Sequence, residues 1–304
     1  MQTLPPSQSV LVSGASGLLG SALLQALRDR HLPVRQLVRR TPDANQFLWN
    51  PAAPVLVADP VPLEGCSAAV HLSGANLVGR WTAAYRREIA ASRIGSTLAL
   101  ARLLADLRRP PAVLAVASAI GIYGDCGDEL LDESSASGDG YLAELCKDWE
   151  AAAEPARAAG IRVLHLRFGV VLSRHGGALA QMLPLFRLGL GGRLGSGRQW
   201  MSWISLADAV QALLYALETP TLAGPVNLTA PEPVRNVEFT QILAKHLHRP
   251  AFLPAPAFAL RLAFGQMADE ALLSSARAVP ANLQSVGFRF AHPKVEQALA
   301  AELV

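Results

Sequence analysis

Three glycines, Gly14, Gly17 and Gly20, fall in the spacing G-x-x-G-x-x-G within Ser13-Gly14-Ala15-Ser16-Gly17-Leu18-Leu19-Gly20. In such a run the first glycine permits a tight turn, the second lets backbone approach a pyrophosphate, and the third lets a helix pack on a strand. The amides and partial positive charge of the helix N-terminus, here Ser16 to Leu19, would face the anion. Arg39 and Arg40 follow, where a protein selective for NAD carries Asp or Glu for the ribose hydroxyls. A guanidinium can grip a 2′-phosphate bidentately and stack on adenine, so the spacing predicts NADP as cofactor. The competing readings are a purely structural glycine turn and two solvated surface arginines.

This chemistry needs a strand before the glycines and a helix after them. Val10 to Ser13 is a short apolar run of strand type, and Leu18 to Arg28 has helical apolar spacing. Further strands are predicted at Val34–Val38, Ala68–Leu72, Ala112–Ala117, Ile161–Leu166 and Val226–Leu228. Helices are expected at Thr82–Arg108, Tyr141–Ala159 and Leu206–Leu217. Alternating strands and helices imply right-handed crossovers and an α/β fold, a doubly wound parallel sheet of Rossmann type. Residues 1–170 are expected to form the cofactor-binding domain, its sheet completed by about 203–228. Residues 171–304 are expected to form a smaller, mainly helical substrate-side lobe, Pro-punctuated and helical from about 231.

The 304 residues are 51% apolar and 17% charged, which excludes a disordered chain. A net charge of +3 without a run of like charges supports neither nucleic acid nor an anionic membrane as partner. No long uncharged apolar stretch is present, and MQTLPPSQSV lacks the pattern of a secretory leader, so the expected location is cytoplasmic. Cys66, Cys126 and Cys146 have no C-x-x-C spacing, and His246 and His248 do not share a helix face, so no metal site is expected. The helix-like Pro256 to Gly265 is expected to pack its apolar face within the lobe. A homodimer stays open as an assembly.

With these residues placed, the chain resembles the extended short-chain dehydrogenase/reductase superfamily, which includes nucleotide-sugar epimerases. The segments that carry the likeness are His71-Leu72-Ser73-Gly74-Ala75-Asn76, Ser118-Ala119-Ile120-Gly121-Ile122-Tyr123-Gly124, Leu166-Arg167-Phe168-Gly169 and Trp203-Ile204-Ser205-Leu206-Ala207-Asp208. Gly79-Arg80-Trp81-Thr82, Cys146-Lys147-Asp148-Trp149-Glu150, Gly189-Leu190-Gly191-Gly192 and Gly287-Phe288-Arg289-Phe290 are similar to an NADP-binding "epimerase family" branch. Its members carry a C-terminal domain of unknown function, and some have been labelled cell-division inhibitors. The resemblance implies cofactor contacts at Val38, Arg39, Leu72, Ser73, Gly74, Glu88, Arg93 and around Tyr141–Ala143, with Ser118 and Arg167 shaping the nicotinamide pocket. Arg93 stands where the superfamily's N-x-x-G-T motif has Asn. It could reach phosphate or ribose, or it could be half of a buried pair with Glu88; the sequence leaves both open.

The superfamily's acid/base is a tyrosine whose pKa is lowered by a lysine four residues on, in the pattern Y-x-x-x-K. Tyr85, Tyr123, Tyr141 and Tyr215 are the only tyrosines, and Ile89, Gly127, Leu145 and Thr219 lie four residues beyond them. Aligning on Trp149-Glu150 puts Leu142 and Cys146 at the pair. The position of the carbonyl-polarising serine is Ala119, with Ser118 one residue off and so on the opposite strand face unless the strand bulges. Ser118, Tyr123, Tyr141 and Lys147 remain as substitutes for proton transfer.

On the substrate side, Gly195-Ser196-Gly197-Arg198-Gln199-Trp200-Met201-Ser202-Trp203 combines flexible backbone, polar donors and two indoles. Arg198, Gln199, Trp200 and Trp203 are therefore candidate ligand contacts, with Asn76 and Trp81 on the opposite rim. A lid packed by its own indoles is the competing reading. The function expected is an NADP-dependent oxidoreductase of unidentified small-molecule substrate. Nucleotide-sugar epimerisation and a non-catalytic NADP-sensing binding protein are the alternatives.

Overall fold

The computed structural model describes residues 9–53 and 60–303, so MQTLPPSQ falls outside the described residues. Along the chain, strand β1 (Val10–Ser13) feeds helix α1 (Leu18–Asp29), followed by β2 (Val34–Val38), β3 (Gln46–Leu48) and β4 (Ala68–His71). Helix α2 (Ala83–Ala90) continues through a single π-helical turn, Ala91–Gly95, into α3 (Ser96–Ala105). Then come β5 (Val113–Ala119), a 3₁₀ turn at Ile120–Tyr123, β6 (Leu130–Leu131), α4 (Tyr141–Ala151), α5 (Glu154–Ala158) and β7 (Arg162–Phe168). The rest comprises β8 (Val170–Leu172), α6 (Gly177–Arg187), β9 (Trp200–Met201), β10 (Trp203–Ser205), α7 (Leu206–Glu218), β11 (Gly224–Leu228), β12 (Val234–Arg235) and α8 (Asn236–Leu247). It closes with α9 (Ala257–Phe264), a π turn at Ala268–Leu272, β13 (Arg277–Ala278), α10 (Ala281–Ser285) and α11 (Val295–Leu303).

Seven strands form one parallel sheet in the order β3-β2-β1-β4-β5-β7-β11. The chain starts in the middle and winds out both ways, so β1 and β4 diverge into crossovers on opposite sides. That switch leaves a crevice at the carboxyl ends of the strands. Strands buried on both faces read as continuous apolar runs: β1, β4 and most of β5 are fully buried. Leu23 and Leu27 of α1, Leu100 and Leu104 of α3, and Leu213 and Leu217 of α7 complete this core. A second cluster joins α6, α8 and α11 around Trp203 and Phe239. A third joins Trp81, Ile89, Tyr123, Leu142 and Cys146 to Met267 of the C-terminal segment.

Several expectations are corrected. Thr82–Arg108 is not a uniform α-helix but is interrupted by the π turn, the insertion that usually marks a functional segment. Tyr141–Ala159 breaks at Ala152–Ala153 into two helices. The short pairs β8–β10, β9–β12 and β6–β13 join segments far apart in sequence and had no local signal. Helix α9 turns Leu260 and Phe264 inward, while Phe258 and Leu262 stand 73% and 75% exposed, so only part of its apolar surface packs as expected. Among the described residues no helix is long and apolar enough to cross a membrane.

Candidate functional site

The turn from β1 to α1 shows what each glycine does. Gly14 has φ +74°, and a Cβ there would lie 2.5 Å from the carbonyl carbon of Leu72 and 2.7 Å from the amide of Ser73. A Cβ at Gly20 would come within 2.2 Å of the Gly14 carbonyl oxygen. Gly14 and Gly20 are thus demanded by packing. Gly17 is not: its amide donates to Gly14 (3.1 Å), and an added Cβ would meet only the Gly14 oxygen at an ordinary 3.5 Å. Its bare face opens outward. Helix α1 begins at Leu18 with no side chain capping its first amides, and Ser16 is exposed beside them. Leu18 lies against the Gly176 backbone and Leu19 against the core, so backbone and not side chain faces the crevice here.

Beside this turn a cavity of about 590 Å³ runs across the strand ends, lined among others by Arg39, Trp49, Ser73, Gly74, Asn76 and Glu88. Arg39 is exposed and makes no hydrogen bond or ion pair among the described residues. Arg40 is turned to Asp43 (3.3 Å) on the surface, so only one of the two arginines lines the cavity. Val38 and Leu72 form its framework: the Val38 carbonyl accepts from Trp49 (2.9 Å), and the Leu72 amide donates to Ser13 (3.1 Å). Trp49 packs edge-on against His71, with ring centroids 5.9 Å apart. His71 is wholly buried between the hydroxyls of Ser13 (2.5 Å) and Ser96 (3.0 Å), and burial pushes its pKa down to about 4. The Ser96 hydroxyl gives its proton to the Ser92 carbonyl (2.6 Å), so His71 must donate from Nε2 and accept at Nδ1. It is a neutral strut beneath the loop.

Arg93 lies behind the cavity wall, 94% buried, in the π turn. Its Nη2 donates to the Ala75 carbonyl (2.9 Å), its guanidinium stands 5.2 Å from the centre of a Trp149 ring, and its Nε has no partner. Burial depresses its pKa. Glu88 does not pair with it: that carboxylate is exposed and lines the cavity. A buried cation without a carboxylate beside it is costly, which makes this end of the cavity ready for an anion.

The candidates for proton transfer are all engaged elsewhere. Arg167 donates through Nε and Nη2 to the two oxygens of Glu150 (2.8 and 2.9 Å), and Ser118 donates to the same carboxylate (2.7 Å). The Tyr123 hydroxyl accepts from Arg167 (3.0 Å) and donates to Asn227 (2.8 Å). Burial raises the Tyr123 pKa; for Arg167 burial works downward, but the bonds and charge of Glu150 win and hold it above the ordinary value. Tyr123 is fully buried, so it does not face the crevice as expected. Ser118 sits in an unbulged strand, turned to Glu150, and so does not replace the serine at Ala119. Lys147 is paired with Glu144 (2.5 Å) at the surface. The Tyr141 hydroxyl donates to the Arg86 carbonyl (3.2 Å), its ring packs on Trp81, and burial raises its pKa.

At the register of the missing pair, the Leu142 side chain covers Gly121, where a Cβ would be 2.5 Å from Leu142 Cδ2. The Cys146 thiol is buried and pushed up to about 12. A second cavity of about 230 Å³ opens here, lined by Gly121, Leu142, Ala143, Asp125, Asp139 and Glu270 among others. Glu270 accepts from the amides of Tyr141 (3.2 Å) and Leu142 (2.6 Å), capping α4 from the C-terminal segment.

The glycine and tryptophan loop contributes to neither cavity. Trp203 is buried and donates to the Glu232 carbonyl, and Gln199 clamps the carbonyls of Leu194 and Leu272. Trp200 is held between Arg235 and Arg277 with its indole on Asp128, and Arg198 is exposed. Trp81 is buried and bonded to the Leu77 carbonyl. Asn76 lines the first cavity, on the side of the expected cofactor. Gln199, Trp200 and Trp203 are thus engaged in packing of the loop itself and Trp81 in the third cluster, whereas Arg198 stays exposed and Asn76 stays at a cavity wall. The sequence reading did not single out Trp49, Ser92, Asp125, Asp139 or Glu270, which line the two cavities.

Comparison with known proteins agrees with this architecture. Residues 10–228 match the NAD dependent epimerase/dehydratase family, and residues 255–302 match a domain of unknown function, DUF1731. The epimerase family protein Mb2239 of Mycobacterium bovis is 47% identical over 292 residues, 95% of this chain and 96% of its own. The crystal structure of human epimerase family protein SDR39U1 (isoform 2) with NADPH superposes with a TM-score of 0.89 at 32% identity, covering 97% of this chain and 99% of that one. A nucleoside-diphosphate sugar epimerase from Corynebacterium glutamicum gives 0.80 at 36% identity, over 98% of this chain and 59% of that chain. With a family match across its whole seven-stranded sheet and relatives of this identity over nearly its full length, the chain belongs to the NAD dependent epimerase/dehydratase family, in the SDR39U1-like group that ends in DUF1731.

Proposed function

We propose that the chain binds NADPH along the first cavity and acts as an NADP-dependent oxidoreductase on a small molecule. The observation that carries this reading is Arg93, a buried cation with an orphaned Nε packed behind Gly74 in the wall of a cavity that Arg39 also lines, neither arginine having a carboxylate partner among the described residues. The fit of the residues to such a cofactor rests on three features. Gly17 presents bare backbone where packing demands none, the α1 amides carry no side-chain cap, and Arg39 has no partner among the described residues and could take a 2′-phosphate. Human SDR39U1 was crystallised with NADPH, which supports the same assignment.

When bound, NADPH supplies a hydride. The chain's part would be to hold the pyrophosphate on the Gly14–Gly20 turn, to select the phosphorylated ribose through Arg39, and to tie β7 and, through Ser118, β5 to α4 at the Glu150 carboxylate. Epimerisation of a nucleotide sugar is weakened because it needs a strong base near the substrate hydroxyl, and Leu142 fills that register. The reading of a non-catalytic NADP sensor draws on the engagement of the Ser118, Tyr123 and Tyr141 hydroxyls. Calorimetry with NADPH and NADH, followed by NADPH oxidation against carbonyl and imine panels, tests the proposal. Tighter binding of NADPH with turnover of any substrate upholds it. Tight NADPH binding without turnover leaves the sensor, and equal or better NADH binding overturns the cofactor assignment.

A further inference from the structure

Two long segments of the chain beyond β7 are free of acid: neither residues 173–207 nor residues 239–268 contain Asp or Glu. The fold lays them side by side. A Cβ at Gly189 would lie 3.4 Å from the Pro250 ring, the Arg249 Nε donates to the Arg187 carbonyl (2.9 Å), and the Ala255 amide donates to the Arg193 carbonyl (2.9 Å). Seven of the eleven exposed large apolar side chains among the described residues belong to these two segments. Leu185 and Leu188 stand one turn apart at the end of α6, and the Leu190 amide folds back to the Leu185 carbonyl (2.9 Å). Leu188 is 72% exposed, and Phe252, on the neighbouring segment, is 73% exposed. Arg187, Arg193, Lys245 and Arg249 lie in the same stretches, exposed and without an ion pair among the described residues.

Protruding apolar side chains among unpaired bases fit an anionic bilayer, whose headgroups attract the bases while leucine and phenylalanine enter the acyl boundary. A second copy of the chain fits worse, because a two-fold contact would set these arginines against their own counterparts with no carboxylate between them. An acidic protein helix needs a groove. The recess in this region, about 210 Å³ and lined by Arg193, Thr240 and Phe252 among others, is too small for one. Its size suits a single headgroup phosphate, and Thr240 in its lining is only 2% exposed with a hydroxyl that has no partner. We propose that this face docks the protein peripherally on an anionic lipid bilayer, with Leu188, Leu190, Phe252 and Leu253 entering it and the four bases at its phosphates. The bases are spaced singly along each segment, so no run of like charge marks them in the sequence; the fold assembles the patch. None of these residues lines the cofactor cavity, so the proposal stands apart from the NADPH reading.

The test is flotation of the full chain with vesicles of phosphatidylcholine alone and of phosphatidylcholine with about one-third phosphatidylglycerol. Binding to the anionic vesicles should be at least about tenfold tighter and should fall steeply as sodium chloride rises from about 0.1 to about 0.5 M. Arg187→Gln with Lys245→Gln, side chains that make no bond among the described residues, should weaken it about tenfold or more. Leu188→Ser with Phe252→Ser should weaken it by at least about tenfold, with the melting temperature of both variants at the wild-type value because all four side chains are exposed. No vesicle binding, equal binding to neutral vesicles, or full binding by the serine variant overturns the inference. So does polyglutamate bound as tightly as the anionic vesicles, which would assign the face to an acidic polypeptide. A dimer in sedimentation velocity that the serine variant breaks, without vesicle binding, would assign it to a second copy and overturns the inference as well. Each of these results leaves the cofactor reading intact.

Discussion

Arg167 and Glu150 meet through two parallel hydrogen bonds, 2.8 and 2.9 Å, with only 10% and 13% of their side chains exposed. The pair ties β7 to α4, and Ser118 and Tyr123 complete its bonding. Removing one member leaves the other charged and buried. Glu150→Ala should therefore cost about 3–5 kcal/mol in urea denaturation, whereas the double replacement Glu150→Leu with Arg167→Met should cost much less. Equal losses in the two variants would mean that the pair's charges are solvated and that its role is packing.

The glycine turn yields a paired prediction. Gly20→Ala forces a Cβ toward the Gly14 backbone and should destabilise the fold by about 3 kcal/mol. Gly17→Ala has room within the protein and should cost under about 1 kcal/mol, yet weaken NADPH binding roughly tenfold. Thermal denaturation and calorimetry on the same samples separate the two effects. Unchanged NADPH affinity in Gly17→Ala would remove the pyrophosphate from this turn.

Arg39 bears on cofactor choice. Arg39→Ala should weaken NADPH by roughly ten- to a hundredfold, the loss of a charge-assisted bidentate contact, and leave NADH within about twofold. Because Arg39 has no protein partner among the described residues, thermal stability should stay level. If both dinucleotides weaken equally, the arginine is not reading the 2′-phosphate.

His71 makes the fold sensitive to acid. Its native pKa is held down to about 4, against an ordinary value of 6.5 in the unfolded chain. Between those values the unfolded state binds the proton and the native state does not, so stability rises with pH through this window and is lost as pH falls below 6.5. From pH 7 to pH 5 the loss from this group is about 2 kcal/mol. Chemical denaturation at the two pH values should show that drop in the wild type and a shallower one in His71→Asn, which is less stable at pH 7 through loss of the Ser13 and Ser96 bonds. An unchanged slope in the variant would assign the acid sensitivity to other groups.

The sequence by itself determined the winding of the sheet, the glycine turn and the arginine that follows β2, because each depends on a local pattern. Apolar runs buried on both faces, a helical period and glycine spacing are all written within a few residues of one another. Tertiary structure alone decided which chemically capable side chains are free. Tyr123, Ser118 and Arg167 looked available in the chain, but three strands and a helix bring Glu150 and Asn227 to meet them. Arg39 and Arg40 are neighbours in sequence, yet only one lines the cavity while Asp43 claims the other. Trp203 and Gln199 fall into packing because the C-terminal segment folds over them. The acidic lining near Leu142 joins residues 125, 139, 269 and 270, whose separation along the chain leaves no spacing to read. A hydrogen bond or a cavity wall depends on distance in space, and for residues more than a hundred positions apart only the completed fold sets that distance.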